Sequence, residues 1–216
     1  MHRYLVTGTD TDIGKTRVTA ALALALRDAS APKPPTVVKL VQTGLVPGIP
    51  GDAERAGKLS GARYLEFARF TKAADPFSAA LAQAAPEVSA RELADALASI
   101  DAPLVAEGAG GIMVPLNARE HFGHVAVLAK LSAIIVVGLR LGCINHALLT
   151  LMLCRQLEIP VAGAILVDRF APSSPDYRED VLRTLQGKLE IFGILPFATD
   201  EAASVRAGAK LFSSLL

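Results

Sequence analysis

The stretch Thr7-Gly8-Thr9-Asp10-Thr11-Asp12-Ile13-Gly14-Lys15-Thr16 decides how this chain folds. Before it, residues 4–7 form an apolar run of strand length. After it, residues 14–27 place Val18, Leu22 and Leu26 on one helical face. A Gly, four residues, then Gly-Lys-Ser/Thr between a strand and a helix is the pattern of a phosphate-binding loop. Here Thr9 stands in the first glycine position and Gly8 one residue earlier, so the string is a variant. The chemistry still fits, because free N–H groups at a helix start and the helix dipole both favour phosphate. Lys15 would neutralise the β and γ oxygens, and the Thr16 hydroxyl would ligate a metal. The plainer reading is a Thr/Asp-rich turn that caps a helix. A capping turn has no need of Gly14, which favours phosphate. No Asn-Lys-x-Asp string follows, which argues against a guanine-reading switch protein.

Outward from the loop, strand-length apolar runs alternate with segments of helical period. Strands are expected at residues 37–40, 104–106, 134–137, 161–167 and 191–195. Helices are expected at 52–60 with Gly61 as the stop, and at 144–157, 174–187 and 202–212. Ser89-Ala-Arg-Glu92 reads as a capping box that opens another, to about residue 100. Such alternation implies right-handed crossovers: an α/β fold, a doubly wound, mostly parallel sheet with helices on both faces, in one domain over residues 1–216. Ligands of such sheets sit beyond the carboxyl ends of the strands, where the phosphate loop falls.

Composition agrees. The 216 residues are 51% hydrophobic but only 5% aromatic, with Ala, Leu and Val dominant, as in helices packed on a buried parallel sheet. Both charge signs are mixed and the net charge is +1, so nothing favours nucleic acid or an anionic membrane as partner. The apolar residues 18–26 follow Asp10 and Asp12 and lack a placed cleavage site, unlike a signal peptide. The run 133–137 is too short to span a bilayer. Cys143 and Cys154 have no metal-ligand spacing and read as reduced thiols, and the protein as cytoplasmic.

Two further acidic positions matter. Glu107 follows a buried strand and precedes Gly108-Ala109-Gly110-Gly111, where a carboxylate can hold the metal of a nucleotide and the glycines admit close approach. Asp52 opens a helix, either as its N-cap or as a second ligand.

At this point five strings carry a resemblance: Thr7-Gly-Thr-Asp-Thr11, Gly14-Lys-Thr16, Lys39 with Val41-Gln-Thr-Gly44, Glu107-Gly-Ala-Gly-Gly111, and Leu141-Gly-Cys-Ile-Asn-His-Ala147. In order and interval they resemble the dethiobiotin synthetases. The resemblance implies conversion of 7,8-diaminononanoate, CO2 and ATP, with Mg2+, to dethiobiotin, ADP and phosphate. It implies that Asp12, Ile13, Gly14, Lys15, Thr16 and Arg17 wrap the phosphates, with Glu107, Gly108, Ala109 and Gly110 alongside. Thr16, Asp52 and Glu107 would hold Mg2+, and Lys15 and Lys39 would be catalytic. Val167, Asp168, Pro196, Phe197 and Ala198 would lie on the base side. Thr43 would touch the diamine, and Gly142, Cys143, Ile144 and Asn145 would offer N–H groups to its carboxylate, across a homodimer interface. His146 is expected to be structural.

The chain departs from the family in places. Leu40 replaces a common proline, Arg140 a frequent lysine, and Val167 an asparagine that reads adenine. A valine offers a base only contact area, which implies relaxed base choice. Cobyrinate-type amide synthetases carry a glutaminase domain, for which no segment is expected here. A partitioning ATPase of the ParA/MinD type would have a second lysine early in the loop, where Gly8, Thr9 and Asp10 stand. Dependence of ATP hydrolysis on diamine and bicarbonate separates these readings.

Overall fold

Alternate residues of the first strand enter different cores. In the computed structural model, which describes residues 2–29 and 33–216, β1 (Arg3–Gly8) sends Tyr4 and Val6 into one hydrophobic cluster and Leu5 into another. A strand with apolar residues on both faces must be covered twice. The same holds for β2 (Thr36–Gln42), β4 (Leu104–Gly111), β5 (Ser132–Gly138) and β6 (Val161–Val167), with β3 (Arg63–Arg69) and β7 (Ile191–Leu195) at the edges. All pairs are parallel and the spatial order is β3-β2-β4-β1-β5-β6-β7. The doubly wound sheet read from the sequence is therefore present, and its winding reverses about β1.

Helices are numbered in chain order. On one face lie α1 (Lys15–Ala29), α2 (Asp52–Ser60) and α8 (Glu201–Lys210), where Val18, Leu22, Leu26, Ala53 and Val205 meet Val6, Val105, Ile134 and Val167. The other face carries α3 (Pro76–Ala82), α4 (Ala90–Ala98) and α5 (Phe122–Leu128) over one half, and α6 (Cys143–Gln156) and α7 (Pro175–Leu185) over the other. Ser174 and Pro175 open α7 as expected, and Gly187 follows it in the left-handed region at φ 74°. At α4 the expected box is half made. The Ser89 hydroxyl accepts from the N–H groups of Arg91 and Glu92, but the carboxylate that completes the helix start is Glu120, which accepts from Ala90 N–H at 3.0 Å.

The structure adds elements that apolar patterning did not reveal. The edge strand β3 interleaves Arg63, Glu66 and Arg69 with exposed Tyr64 and Leu65, which hides its period. The seven-residue α3 and α5 are too short to show one. Expected to stop at residue 106, β4 instead runs to Gly111, because Gly111 lies beside Gly8 of β1 and a Cβ there would meet the Gly8 carbonyl at 3.2 Å.

Two histidines cap α5. His121 Nδ1 accepts from Gly123 N–H and His124 Nδ1 accepts from His121 N–H, each at 3.1 Å, with ring centroids 4.1 Å apart. A backbone N–H can only donate, so both Nδ1 atoms carry lone pairs. Burial, and then the neighbouring His124, hold the His121 pKa below its ordinary value, against a backbone bond at Ile112 that raises it. The unfolded chain therefore takes up a proton first. Stability from this group is complete above an unfolded pKa of about 6.5 and is lost as pH falls through that value toward the lower folded one. Urea midpoints at pH 7.5 and 5.5 should fall further in the native protein than in His121→Asn, which keeps a cap but does not titrate. Equal falls would remove His121 from the acid response.

Candidate active site

The loop after β1 is shaped by crowding. A Cβ on Gly8 would lie 2.7 Å from the Asp10 carbonyl, while Asp12 and Gly14 occupy the left-handed region at φ 55° and 103°. Thr9 is not among the residues of positive φ and anchors the loop by donating its N–H to the Val136 carbonyl at 2.9 Å. The missing first glycine is thus not needed. At Gly8 close packing, not a left-handed backbone, excludes a side chain. Ile13 is buried against Gly138 and pins the loop to β5. Lys15, 6% exposed, donates to the Asp10 carbonyl at 2.9 Å, and burial lowers its pKa.

A second ammonium stands across from it. In the β2–β4 register Lys39 faces Glu107. Lys39 Nζ lies 2.8 Å from Glu107 Oε1, 2.6 Å from Asp52 Oδ2 and 3.1 Å from the Gly108 carbonyl. Burial alone would depress this lysine, but the two carboxylates together hold its pKa above the ordinary value. Burial likewise pushes the Asp52 carboxyl up, while Lys39 and the Thr16 hydroxyl bring it below its usual range. Asp52 is not the N-cap of α2. Gly51 holds that position without a side-chain bond, and the Asp52 N–H donates to Gln42 Oε1 at 2.8 Å. The carboxylate is thereby free to face the lysine.

These groups line a cavity of about 620 Å³ at the carboxyl ends of β1, β2 and β4. Asp12, Gly14, Lys15, Thr16, Arg17, Lys39, Thr43, Asp52, Glu107, Ala109 and Gly110 all reach it. So do Gln42, from one of the five strings, and Arg55, Arg169 and Glu201, which no local pattern marked. Other expected residues lie elsewhere. Val167 is fully buried under Gly14 and within the core, so its side chain offers a base no contact. Asp168 is also buried, where it pairs with Arg178 and accepts from Ser173 N–H at 3.1 Å. Pro196, Phe197 and Ala198 are not among the lining residues. Nor are Gly142, Cys143, Ile144 and Asn145, which start α6 with Gly142 at φ 92°. Beside that helix start Tyr177 donates to the Arg140 carbonyl at 2.5 Å and sits 3.3 Å from Cys143 Sγ, while Arg140 pairs with Asp10 of the phosphate loop.

The residues present suit a hard cation. Thr16 Oγ1 donates to Glu107 Oε1 at 3.0 Å, and Glu107 Oε2 is buried without a partner. Among the described residues no three of His, Cys, Asp or Glu are grouped for a metal. Two carboxylates and a hydroxyl therefore leave the rest of a shell to water and phosphate oxygens, as Mg2+ prefers.

Comparison with known proteins agrees with this geometry. A family profile described as an AAA domain matches residues 2–203. An ATP-dependent dethiobiotin synthetase of Anaeromyxobacter dehalogenans (strain 2CP-C) is 39% identical over 217 residues, covering 96% of this chain and 95% of that protein. One from Rhodococcus jostii (strain RHA1) is 34% identical over 219 residues, covering 97% and 92%. Among solved structures, the cell division ATPase MinD of Pyrococcus furiosus aligns over 100% of both chains with a TM-score of 0.60 at 16% identity. A plasmid partition protein of Borrelia burgdorferi does so at 0.61 and 9%. At such identities the likeness concerns the fold.

Lys39 and Glu107 are 4% and 1% exposed, so removing one leaves the other charge buried and uncompensated. Lys39→Met should destabilise the metal-free protein by about 3–5 kcal/mol, read from urea unfolding in a chelator. Adding Glu107→Gln should restore part of that loss. Single and double variants that add independently would show that the pair is not coupled.

Proposed function

The chain belongs to the ATP-dependent dethiobiotin synthetase family, and on that premise we propose that its cavity carries Mg2+ and ATP against 7,8-diaminononanoate and CO2. It is an ATP-dependent ligase that forms carbon–nitrogen bonds in biotin synthesis. The observation that carries the site assignment is the meeting of Lys15, Lys39, Asp52, Glu107 and Thr16 on one cavity wall.

The reaction explains why those residue types gather. One substrate amine adds to CO2 and loses a proton, giving a carbamate. The carbamate oxygen attacks the γ-phosphorus, ADP leaves, and a carbamic–phosphoric anhydride results. The second amine then attacks the carbonyl and loses a proton, phosphate departs, and the cyclic urea closes. In the middle step an anion approaches an anion, so fixed cations matter most there. Lys15 faces the β and γ oxygens, and Lys39 faces the carbamate and the transferred phosphoryl group. Thr16, Asp52 and Glu107 would hold Mg2+, which neutralises phosphate charge when bound. Ring closure needs only alignment, since effective molarities of about 10^5–10^8 M are available to well-placed intramolecular attack. Thr43, on the loop after β2, reaches the diamine end of the cavity.

The proposed carboxylate site at Gly142, Cys143, Ile144 and Asn145 lies outside this chain's own cavity, which supports a homodimer in which one protomer serves its partner. The outer face of α6 and the residue before Gly142 expose Leu141, Leu149 and Met152 at 90%, 55% and 64%. Such a face suits burial against a second copy. Among the described residues no helix is long and apolar enough to cross a membrane.

Phosphate release from ATP should depend on both diaminononanoate and bicarbonate. Release at the same rate without the diamine would end the ligase assignment of this cavity. Lys15→Ala should lower kcat by about 10^2–10^3 with the fold intact, and a variant retaining a third of the native rate would remove the phosphate role. Leu149→Glu should shift sedimentation to monomer and raise KM for the diamine at least tenfold, with ADP binding unchanged. A monomeric variant with native KM would place the carboxylate site within one chain.

A further inference from the structure

Two groups of charge line the cavity, and only one has been used so far. Around Lys15 stand Lys39 and the carboxylates of Glu107, Asp52 and Asp12, so three anions face two ammoniums. Arg17 feels a different set: Arg169, Arg55 and Glu201. Here two guanidinium groups, Arg17 and Arg55, share the Glu201 carboxylate, and Arg169 lines the same cavity as a third cation. Glu201 takes Arg55 in a two-pronged pair, one contact at 2.9 Å, and stands 3.8 Å from Arg17 Nη2. Arg17 is 7% exposed, and its Nη1 is buried with no hydrogen-bond partner. Leaving a guanidinium donor buried and unpaired costs free energy, and two cationic neighbours add to the cost. An anion at this place relieves both.

Position selects the anion. Arg17 follows Thr16 in the first turn of α1, one residue beyond those turned to the β and γ oxygens. Arg169 Cδ comes within 3.8 Å of a Cβ placed on Gly14, so its stem crosses the back of the loop. An extended polyanion with its terminal phosphates at Lys15 and Lys39 would carry its innermost phosphoryl group toward these arginines.

We propose that Arg17, flanked by Arg169 and Arg55, seats the α-phosphoryl group of the nucleotide, so that a side-chain fork supplements the backbone cradle. This rests on the nucleotide site assigned above, and it identifies the arginines as determinants of nucleotide affinity. A guanidinium fork suits two phosphoryl oxygens, and its planar geometry is what a lysine lacks. The α-phosphoryl group is common to all nucleotides, so the arginines add affinity without reading the base.

Calorimetric titration of the full-length protein with ADP, CDP and inorganic phosphate tests this, with Mg2+ present and no diamine. Arg17→Gln should raise the dissociation constants of ADP and CDP by the same factor, about tenfold to a hundredfold, the size of one charge-assisted hydrogen bond. Arg169→Gln should act in the same direction by several-fold, and it carries the test if Arg17→Gln does not melt cooperatively. ADP affinity within twofold of native in a folded variant overturns the proposal. A loss for ADP without one for CDP makes the arginines base readers, and also overturns it. Inorganic phosphate that binds the ADP-saturated native protein but not the variant would show a separate anion site, with the same consequence. No step of the test requires turnover. Failure of the diamine to stimulate phosphate release would therefore sink the ligase reading and leave the ADP result standing.

Discussion

The ammonium of Lys39 binds together three parts of the chain that sequence keeps far apart. It lies on β2, its partner Glu107 lies opposite on β4, and Asp52 comes from the first turn of α2. The β2–β4 register fixes the first contact, since a slip of one residue would turn Lys39 to the other face of the sheet. The second contact depends on Gln42, whose amide oxygen holds the start of α2 in place of a cap. A buried ammonium is tolerated only when paired and hydrogen-bonded. This one meets two carboxylates and a carbonyl, so any packing that separated them would be strongly disfavoured. The charge network thus selects the arrangement of the sheet as much as the sheet creates the network.

From that constraint the rest of the site follows. Glu107 stands in mid-strand because β4 continues past it to Gly110 and Gly111, where a side chain would crowd Val114 and the Gly8 carbonyl. The Gly108 carbonyl then becomes the third partner of Lys39. Phe122 at the start of α5 packs under Gly108, within 3.6 Å of where a Cβ would stand. The histidine cap of α5 therefore supports, through one aromatic ring, the backbone that Lys39 leans on. A crowded glycine track thus serves charge placement, loop shape and core packing together.

Much of this is legible in the sequence. The loop string, the strand–helix alternation and the five family strings led to the correct sheet class and to half of the residues that line the cavity. What escaped detection has physical reasons. The edge strand β3 is half exposed and charged, so it lacks the apolar run that marks a buried parallel strand. The start of α5 uses histidines as caps, outside the usual set of Ser, Thr, Asp and Asn. Arg55, Arg169 and Glu201 gather only when α2, the end of β6 and α8 converge, which no local pattern encodes. Val167 and Asp168 differ from the other expected residues in being fully buried. A resemblance supplies positions but not burial, and both side chains point inward.

The central place of β1 has a consequence for how the loop behaves in time. Its backbone is paired on both sides, to β4 and to β5, and both its faces are covered. Amides of such a strand exchange with solvent only when the whole domain opens, whereas those of the exposed α7 can open locally. The phosphate loop is tethered to that slow region by Thr9 and Ile13. Its two anchor points therefore share the lifetime of the central sheet, and a polyphosphate meets a loop whose ends are already fixed.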